Sequence, residues 1–563
     1  FEKLKKESIK LKDFQGKLSD KDKILEYLKL NEEISRLAEK LYVYAHMKSD
    51  EDTTNQKNQG VMNKVDAFMA ELGSYTAFFV PEILSLKEGF IEELIKEDER
   101  FKLYEFLLMD ILKEKPHVLT KEMEELLALT SDSLEAPHSI YNMLINADMT
   151  FGEIKDEDGD KVQLTEGNYS SFIKSKNREV RKAAFKELFG GYKKFENTIG
   201  TALTASVKNF NLSARVRKYS CPLEAALGPN DIPLSVYENA IKTINDNIDV
   251  LHRYVRVKKK LLGLDEIHMY DLYVPVIEIE KEKIPFEESV KRANKALAPL
   301  GEAYLKIFNE GIESGWVDIY QNKGKRGGAY SWGSYDTMPY VLLNYNYELN
   351  DTSTLVHEMG HSIHSYYSKK SQPYYYSGYT IFCAEIASTT NEALLIHYLI
   401  DNEKDEKKKL YLINQELEQI RTTVFRQLMF AEFELYAHNE LNSGNSLTAE
   451  DYNNKWHKLN KKYFGEDMVV DEEIDVEWAR IPHFYSDFYV YQYATGYSAA
   501  SAFAKSILNK EENAVEKYMG FLKSGGSKYP IDILKDAGVD MTTSKPLEAT
   551  IKRFSELLDM LEK

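Results

Sequence analysis

The sequence predicts a mainly α-helical protein with a few short strands. Three observations carry that expectation. Long stretches repeat apolar residues at spacings of three and four, the helical period. Strand-like patterns are confined to two short places, Thr150 to Leu164 and Pro339 to Asn346. No fixed-period repeat runs through the chain, which argues against a solenoid. At 563 residues, with 43% hydrophobic and 29% charged, the composition is that of an ordinary globular protein too long for one small domain.

Taken in order, a first helix is expected from Leu18 to about Ala45, with Leu30, Ile34, Leu37, Leu41 and Tyr44 as its apolar ridge. Asp50-Glu51-Asp52-Thr53-Thr54-Asn55 interrupts it. More helices follow to about Ala147, broken at Pro81, Pro116 and Pro137. Phe151 and Ile154 face Val162 and Leu164 across Asp156-Glu157-Asp158-Gly159-Asp160, which reads as a β-hairpin with an Asp-Gly turn. A calcium loop does not fit, because glycine falls at its fourth position and Gly167 at its twelfth. From Tyr169 helices resume, with Arg178-Glu179-Val180-Arg181 on a polar face. Ile241, Ile244, Ile248, Leu251 and Val255 keep the helical period, and Lys258-Lys259-Lys260 reads as a solvated last turn. Gly324-Lys325-Arg326-Gly327-Gly328-Ala329 lacks the spacing of a phosphate loop. Pro339 to Asn346 reads as an edge strand able to pair with an extended peptide. The expected division is an N-terminal helical region, 1–165, ending in the hairpin, and a catalytic region, 166–563.

Composition also excludes partners. A net charge of −18 argues against nucleic acid. No apolar run approaches the roughly 18 residues that cross a bilayer, so no membrane association is expected. Phe1-Glu2-Lys3-Leu4-Lys5-Lys6 shows no secretory apolar region. Two distant cysteines, Cys221 and Cys383, suit a reducing cytoplasm. Cys383 reads as a small buried hydrophobe.

The chemistry centres on His357-Glu358-Met359-Gly360-His361. On a helix, positions i and i+4 share a face, so both imidazoles can reach one metal ion, with Glu358 beside it as a base. Asn350 to Ser353 are helix-capping residue types, Leu355, Met359 and Ile363 form the adjoining apolar ridge, and Lys369-Lys370 with Pro373 end the helix. A catalytic zinc wants a third protein ligand and an open position. Ile381 to Ile400 reads as a second helix carrying Glu385 and Glu392, seven apart on one face. One can ligate while the other orients a ligating histidine, and spacing does not choose between them. His364 reads as a neighbour rather than a ligand.

Together with Ala384-Glu385-Ile386-Ala387-Ser388 and Asn391-Glu392, the motif resembles oligoendopeptidase F, of the thimet-oligopeptidase-like zinc peptidases. Gly327-Gly328-Ala329-Tyr330-Ser331, Pro339-Tyr340-Val341-Leu342, His483-Phe484-Tyr485 and Ala214 to Tyr219 extend the match over most of the chain. The resemblance implies a two-lobed helical clamshell around a deep cleft. It implies one zinc per chain on His357, His361 and Glu385, with Glu392 behind the ligands. Glu358 would be the general base toward a zinc-bound water. His483, Tyr491 and Tyr489 would face the transition state. Gly328, Ala329, Tyr330, Tyr340 and Tyr485 would meet substrate, and Tyr374 to Tyr379 would line the cleft. The implied function is a cytoplasmic zinc endopeptidase cutting short to medium unfolded oligopeptides. A non-catalytic peptide-binding protein of the same fold, or a zinc carboxypeptidase, is the alternative.

Overall fold

The computed structural model describes residues 1–280 and 282–563, and helices dominate it. Helix α1 (Lys21–Glu51) starts where the Asp20 side chain accepts the Asp22 amide, and it ends at the expected acidic run. Its buried residues include Ile24, Leu25, Leu28, Ile34 and Ala38. Leu37 and Tyr44, expected in the ridge, are 52% and 59% exposed. A spacing of three and four is satisfied almost equally by the face one position over, so the period identifies the helix more firmly than its inner side. The prolines also break less than expected. Pro81 lies in the first turn of Phe79–Ser85, where a missing N–H costs nothing, and Pro137 sits inside Lys121–Met143. Only Pro116 lies between helices, in a single tight turn.

Strands β1 (Glu153–Lys155) and β2 (Lys161–Gln163) form the expected antiparallel hairpin, with Ile154 opposite Val162. Gly159 takes φ +89°, and Asp156 accepts the amides of Asp158 and Asp160, so the turn's acidic side chain serves its own backbone. Helix α2 (Arg178–Val216) follows, capped by Asn177. Arg178 and Arg181 in its first turn are not a polar face. They converge on Asp271, whose side chain is fully buried, at 2.8 and 2.7 Å. The periodic stretch near 250 is two helices, Leu234–Asp246 and Asp249–Leu261, and Lys258 at its end is buried against Glu418 rather than solvated.

Strands β3 (Val317–Tyr320), β4 (Tyr330–Trp332) and β5 (Tyr340–Tyr345) make a sheet in the order β3-β5-β4. The strand expected at an edge, β5, is therefore central, parallel to β3 and antiparallel to β4. The edge beside the metal motif belongs to β4. Helices α3 (Leu349–Ser371), α4 (Ile381–Asn402), α5 (Arg426–Asn442) and α6 (Tyr491–Leu508) carry the residues discussed below.

Two compact units share the chain, each built from three segments. One comprises Phe1–Pro116, Lys281–Tyr398 and Ala500–Val539; the other comprises His117–Glu280, Leu399–Ala499 and Asp540–Lys563. Residue 165 is not a boundary between them. The Gly152 amide before the hairpin donates to Glu187 of α2, and the Phe151 ring lies over Gly191, so the hairpin belongs with the helix that follows it. No described helix is long and apolar enough to cross a membrane.

Asp271→Asn would leave two guanidinium groups short of a counter-charge, one of them buried. It should cost about 3 kcal/mol or more, read as a lowered melting temperature. Burial alone would raise the Asp271 pKa, but Arg178, the His268 amide and Arg181 outweigh it and hold the carboxyl below 3.8. A depressed carboxylate contributes fully above its unfolded pKa and less as pH falls through the folded value. The variant's deficit should therefore be full at neutral pH and shrink below 3.8.

Candidate metal centre and its surroundings

Helix α3 opens with a reciprocal cap in which Glu348 and Asp351 each accept the other's amide. Leu355, Met359 and Ile363 are wholly buried, as the ridge predicts, and this turns the row of His357 and His361 to a half-buried position. Helix α4 packs against that row at unusually close range. A Cβ on Gly360 would lie 2.7 Å from Ser388 Cα and 2.9 Å from the Ala387 carbonyl oxygen. Asn391, fully buried, donates to the Val356 carbonyl at 2.9 Å and accepts from the Tyr304 hydroxyl at 2.8 Å.

This packing sets Glu385 over the histidines. Its Oε2 lies 3.3 Å from Nε2 of His357 and 3.3 Å from Nε2 of His361. One donor atom from each of the three residues falls within 4.8 Å of the others. A tetrahedral ion with bonds of about 2.0–2.1 Å spaces its ligands about 3.3–3.4 Å apart, which the two Glu385 distances match, so the chemistry of this donor set fits a metal.

Spacing alone left Glu385 and Glu392 interchangeable, and the structure separates them. Glu392 Oε2 is 3.2 Å from His357 Nδ1, on the far side of the ring, and Ser353 donates to its other oxygen at 3.0 Å. Ser388 donates to Glu385 Oε2 at 3.1 Å. Burial pushes the Glu358 pKa up, whereas hydrogen bonds from both histidines overcome burial at Glu385 and hold it well below the carboxylate range. Burial would lower His357, but Glu385 and Glu392 outweigh it and push it up to about 10. His364 is outside the cluster: it is buried, stacked on Tyr379 at 3.8 Å and pushed down to about 3 by burial.

Beside the centre, β4 is pinned to α3 through Ser331 and Ser362, whose hydroxyls are 2.8 Å apart. Tyr330 donates to Asp50 at 2.9 Å, Tyr340 is half-buried opposite Trp332, and Gly328 and Ala329 border an open cavity. The tyrosines between α3 and α4 are anchors within their unit rather than a free lining. Tyr375 donates to the Leu28 carbonyl and Tyr376 accepts the Leu107 amide.

The other unit gathers the late histidine with two tyrosines. The Tyr489 ring lies parallel to His483 at 6.1 Å, and the Tyr493 hydroxyl is 3.4 Å from His483 Nε2. Burial lowers the His483 pKa. Tyr491, expected in this group, is 1% exposed with its ring against Tyr237. Tyr489 lies just before α6, and its ring meets that of Tyr493 edge-on at 5.4 Å. No local spacing marked Tyr493, which meets Tyr489 through the turn that enters α6. Tyr485 also leaves the group, stacking on Tyr141 at 4.5 Å and His138 at 5.2 Å. Between them Phe488 takes φ +56°, held by its amide donating to Glu434 on α5 at 2.7 Å.

With this geometry in view, the sequence profile of peptidase family M3 matches residues 171–553, and that of oligopeptidase F matches 82–151. The chain belongs to peptidase family M3. Oligopeptidase PepF of Bacillus subtilis is 51% identical over 98% of this chain and 82% of its own. Group B oligopeptidase PepB of Streptococcus agalactiae is 41% identical over 98% and 92%. Among solved structures, oligoendopeptidase-F from Enterococcus faecium is 38% identical with TM-score 0.78, covering 100% of this chain and 97% of that one.

Gly360 offers a direct check of how the peptidase forms its centre. In an ordinary helix Gly→Ala stabilises by about 0.5–1 kcal/mol. Here Gly360→Ala should do the reverse, prising α3 from α4. A lowered melting temperature and about tenfold weaker metal retention are expected on dialysis against graded chelator.

Proposed function

We propose that this peptidase is a zinc endopeptidase that cuts internal bonds of short to medium unfolded oligopeptides. The observation that carries the proposal is the two-nitrogen, one-oxygen donor set, with Glu385 3.3 Å from each histidine and the buried Glu358 next to it in sequence. Zinc on His357, His361 and Glu385 would supply Lewis acidity, polarising the scissile carbonyl and making water nucleophilic near neutral pH.

The chain's own groups do the rest. Glu358 takes a proton from the attacking water and passes it to the leaving amine, and its raised pKa suits holding that proton between the two steps. Glu392 keeps the proton of His357 on Nδ1, leaving Nε2 as a ligand. An extended peptide can pair with the edge of β4, whose position is set by the Ser331–Ser362 contact. The developing oxyanion needs further donors. The resemblance assigns them to His483 and its tyrosines, and the contact of Tyr493 with His483, alongside Tyr489, supports that assignment. Relatives named as oligopeptidases support the substrate class. Residence in a reducing cytoplasm is consistent with two free cysteines.

Glu358→Gln should keep its zinc and lose about a thousandfold or more in rate on a quenched mid-length peptide. His483→Ala should lose about a hundredfold in kcat. Product masses should show two peptides per cut; single released residues would point to a carboxypeptidase. A zinc-loaded wild type that cuts no member of a varied peptide set would sink the catalytic reading.

A further inference from the structure

The loop before β4 is held from both sides. From α1 and the residues after it, the Asp50 carbonyl accepts the Arg326 amide, the Asp50 carboxylate accepts the Tyr330 hydroxyl, and Thr53 donates its amide to the Gly324 carbonyl. From β5, Asn344 donates both amide hydrogens, to the carbonyls of Arg326 and Gly328 at 2.9 and 2.7 Å. The Lys325 side chain is fully buried, its ammonium on the carbonyls of Asp318 and Tyr320. So many attachments give this loop one shape. Gly328 and Ala329 then form one wall of a cavity of about 290 Å³. Asn344 and Asn346 line it as well, with Asp351 and Thr354 from the opening turns of α3. Thr354 precedes the ligand His357 by one helical turn.

The hydrogen bonds already made decide what the cavity can hold. Both amide hydrogens of Asn344 are spent, Thr354 donates within its helix and Asn346 donates to Asn344. One oxygen of Asp351 accepts the amides of Asn346 and Glu348, and no described protein donor reaches the other. What remains on the side chains is mainly acceptors: that carboxylate oxygen, the side-chain carbonyl oxygens of both asparagines and the Thr354 lone pairs, beside one Asn346 amide hydrogen. Charge agrees. Asp351 and Glu348 bring two negative charges against the roughly half positive charge of the helix end. The side chains here favour a ligand that brings donors and positive charge.

Resting on the endopeptidase reading, we propose that this cavity is a substrate subsite that takes a basic side chain, lysine or arginine, near the scissile bond. Its acceptor set and fixed loop wall fit a cation on a flexible stem. The ligand is part of the peptide to be cut, so the subsite selects substrates rather than taking part in the chemistry.

The test scans lysine against its uncharged isostere norleucine through each position of one quenched peptide, with product masses locating the cut. At one position lysine should raise kcat/KM about tenfold over norleucine, a difference expected mainly in KM. Asp351→Asn, which keeps a capping oxygen, should bring that ratio near one. Thr354→Lys, which leaves the cap intact and fills the cavity with its own cation, should do the same if Asp351→Asn folds poorly. Glu313→Gln, an exposed change of equal charge, should preserve the ratio. No preference at any position, a ratio that survives both variants, or an equal loss in Glu313→Gln would overturn the subsite. Cleavage of the norleucine peptides by wild type reads the endopeptidase proposal separately.

Discussion

The close approach of α3 and α4 at Gly360 and Ser388 is the constraint on which the metal centre depends. Packed helices usually lie 8–10 Å apart, with side chains filling the space between them. Here even one methyl group at Gly360 would meet the backbone of the opposing helix. Two of the candidate donors come from α3 and one from α4, so their spacing is set by how near the helices come. Asn391 locks that distance. It is wholly buried, bridges α4 to the Val356 carbonyl and is satisfied in turn by Tyr304. A hydrogen bond contributes only about 1 kcal/mol net, yet leaving such a group unpaired costs about 1–3 kcal/mol. The lock therefore resists slippage more than it adds stability. The same helix also fixes the neighbouring sheet, because β4 hangs on Ser362, next to His361.

Much of this was legible in the sequence where a local rule governs. The ridge of Leu355, Met359 and Ile363 oriented α3 correctly, because a helix's own periodicity decides which face is buried. The hairpin followed from its Asp-Gly turn. Neither Gly360 nor Asn391 carried a signal, since their roles exist only against α4 and Tyr304. The position of β5 was misread for the same reason. Its apolar run says strand, but whether it is an edge depends on β3 joining from twenty residues upstream. Arg181 and Lys258 read as surface charges because their partners, Asp271 and Glu418, lie 90 and 160 residues away. Tyr491 was named ahead of Tyr493 through a resemblance between stretches, and its burial against Tyr237 is a tertiary fact that no local spacing shows.

Electrostatics divides labour between carboxylates that are chemically alike. Glu358 and Glu385 both feel the charge of the histidine pair, yet their environments push them apart. Glu358 gains a raised pKa from burial, a setting that favours a group able to hold a proton. Glu385 meets the same penalty, but two imidazole nitrogens at 3.3 Å more than repay it, so it stays an anion. Glu392 adds a third setting, at the back of His357 with a serine hydroxyl on its other oxygen. Three glutamates within 35 residues thus suit a proton carrier, a ligand and an orienting group. Sequence spacing offered Glu385 and Glu392 equally for ligation. The two differ in which nitrogen of His357 each one meets, and that follows from how closely α4 packs against Gly360.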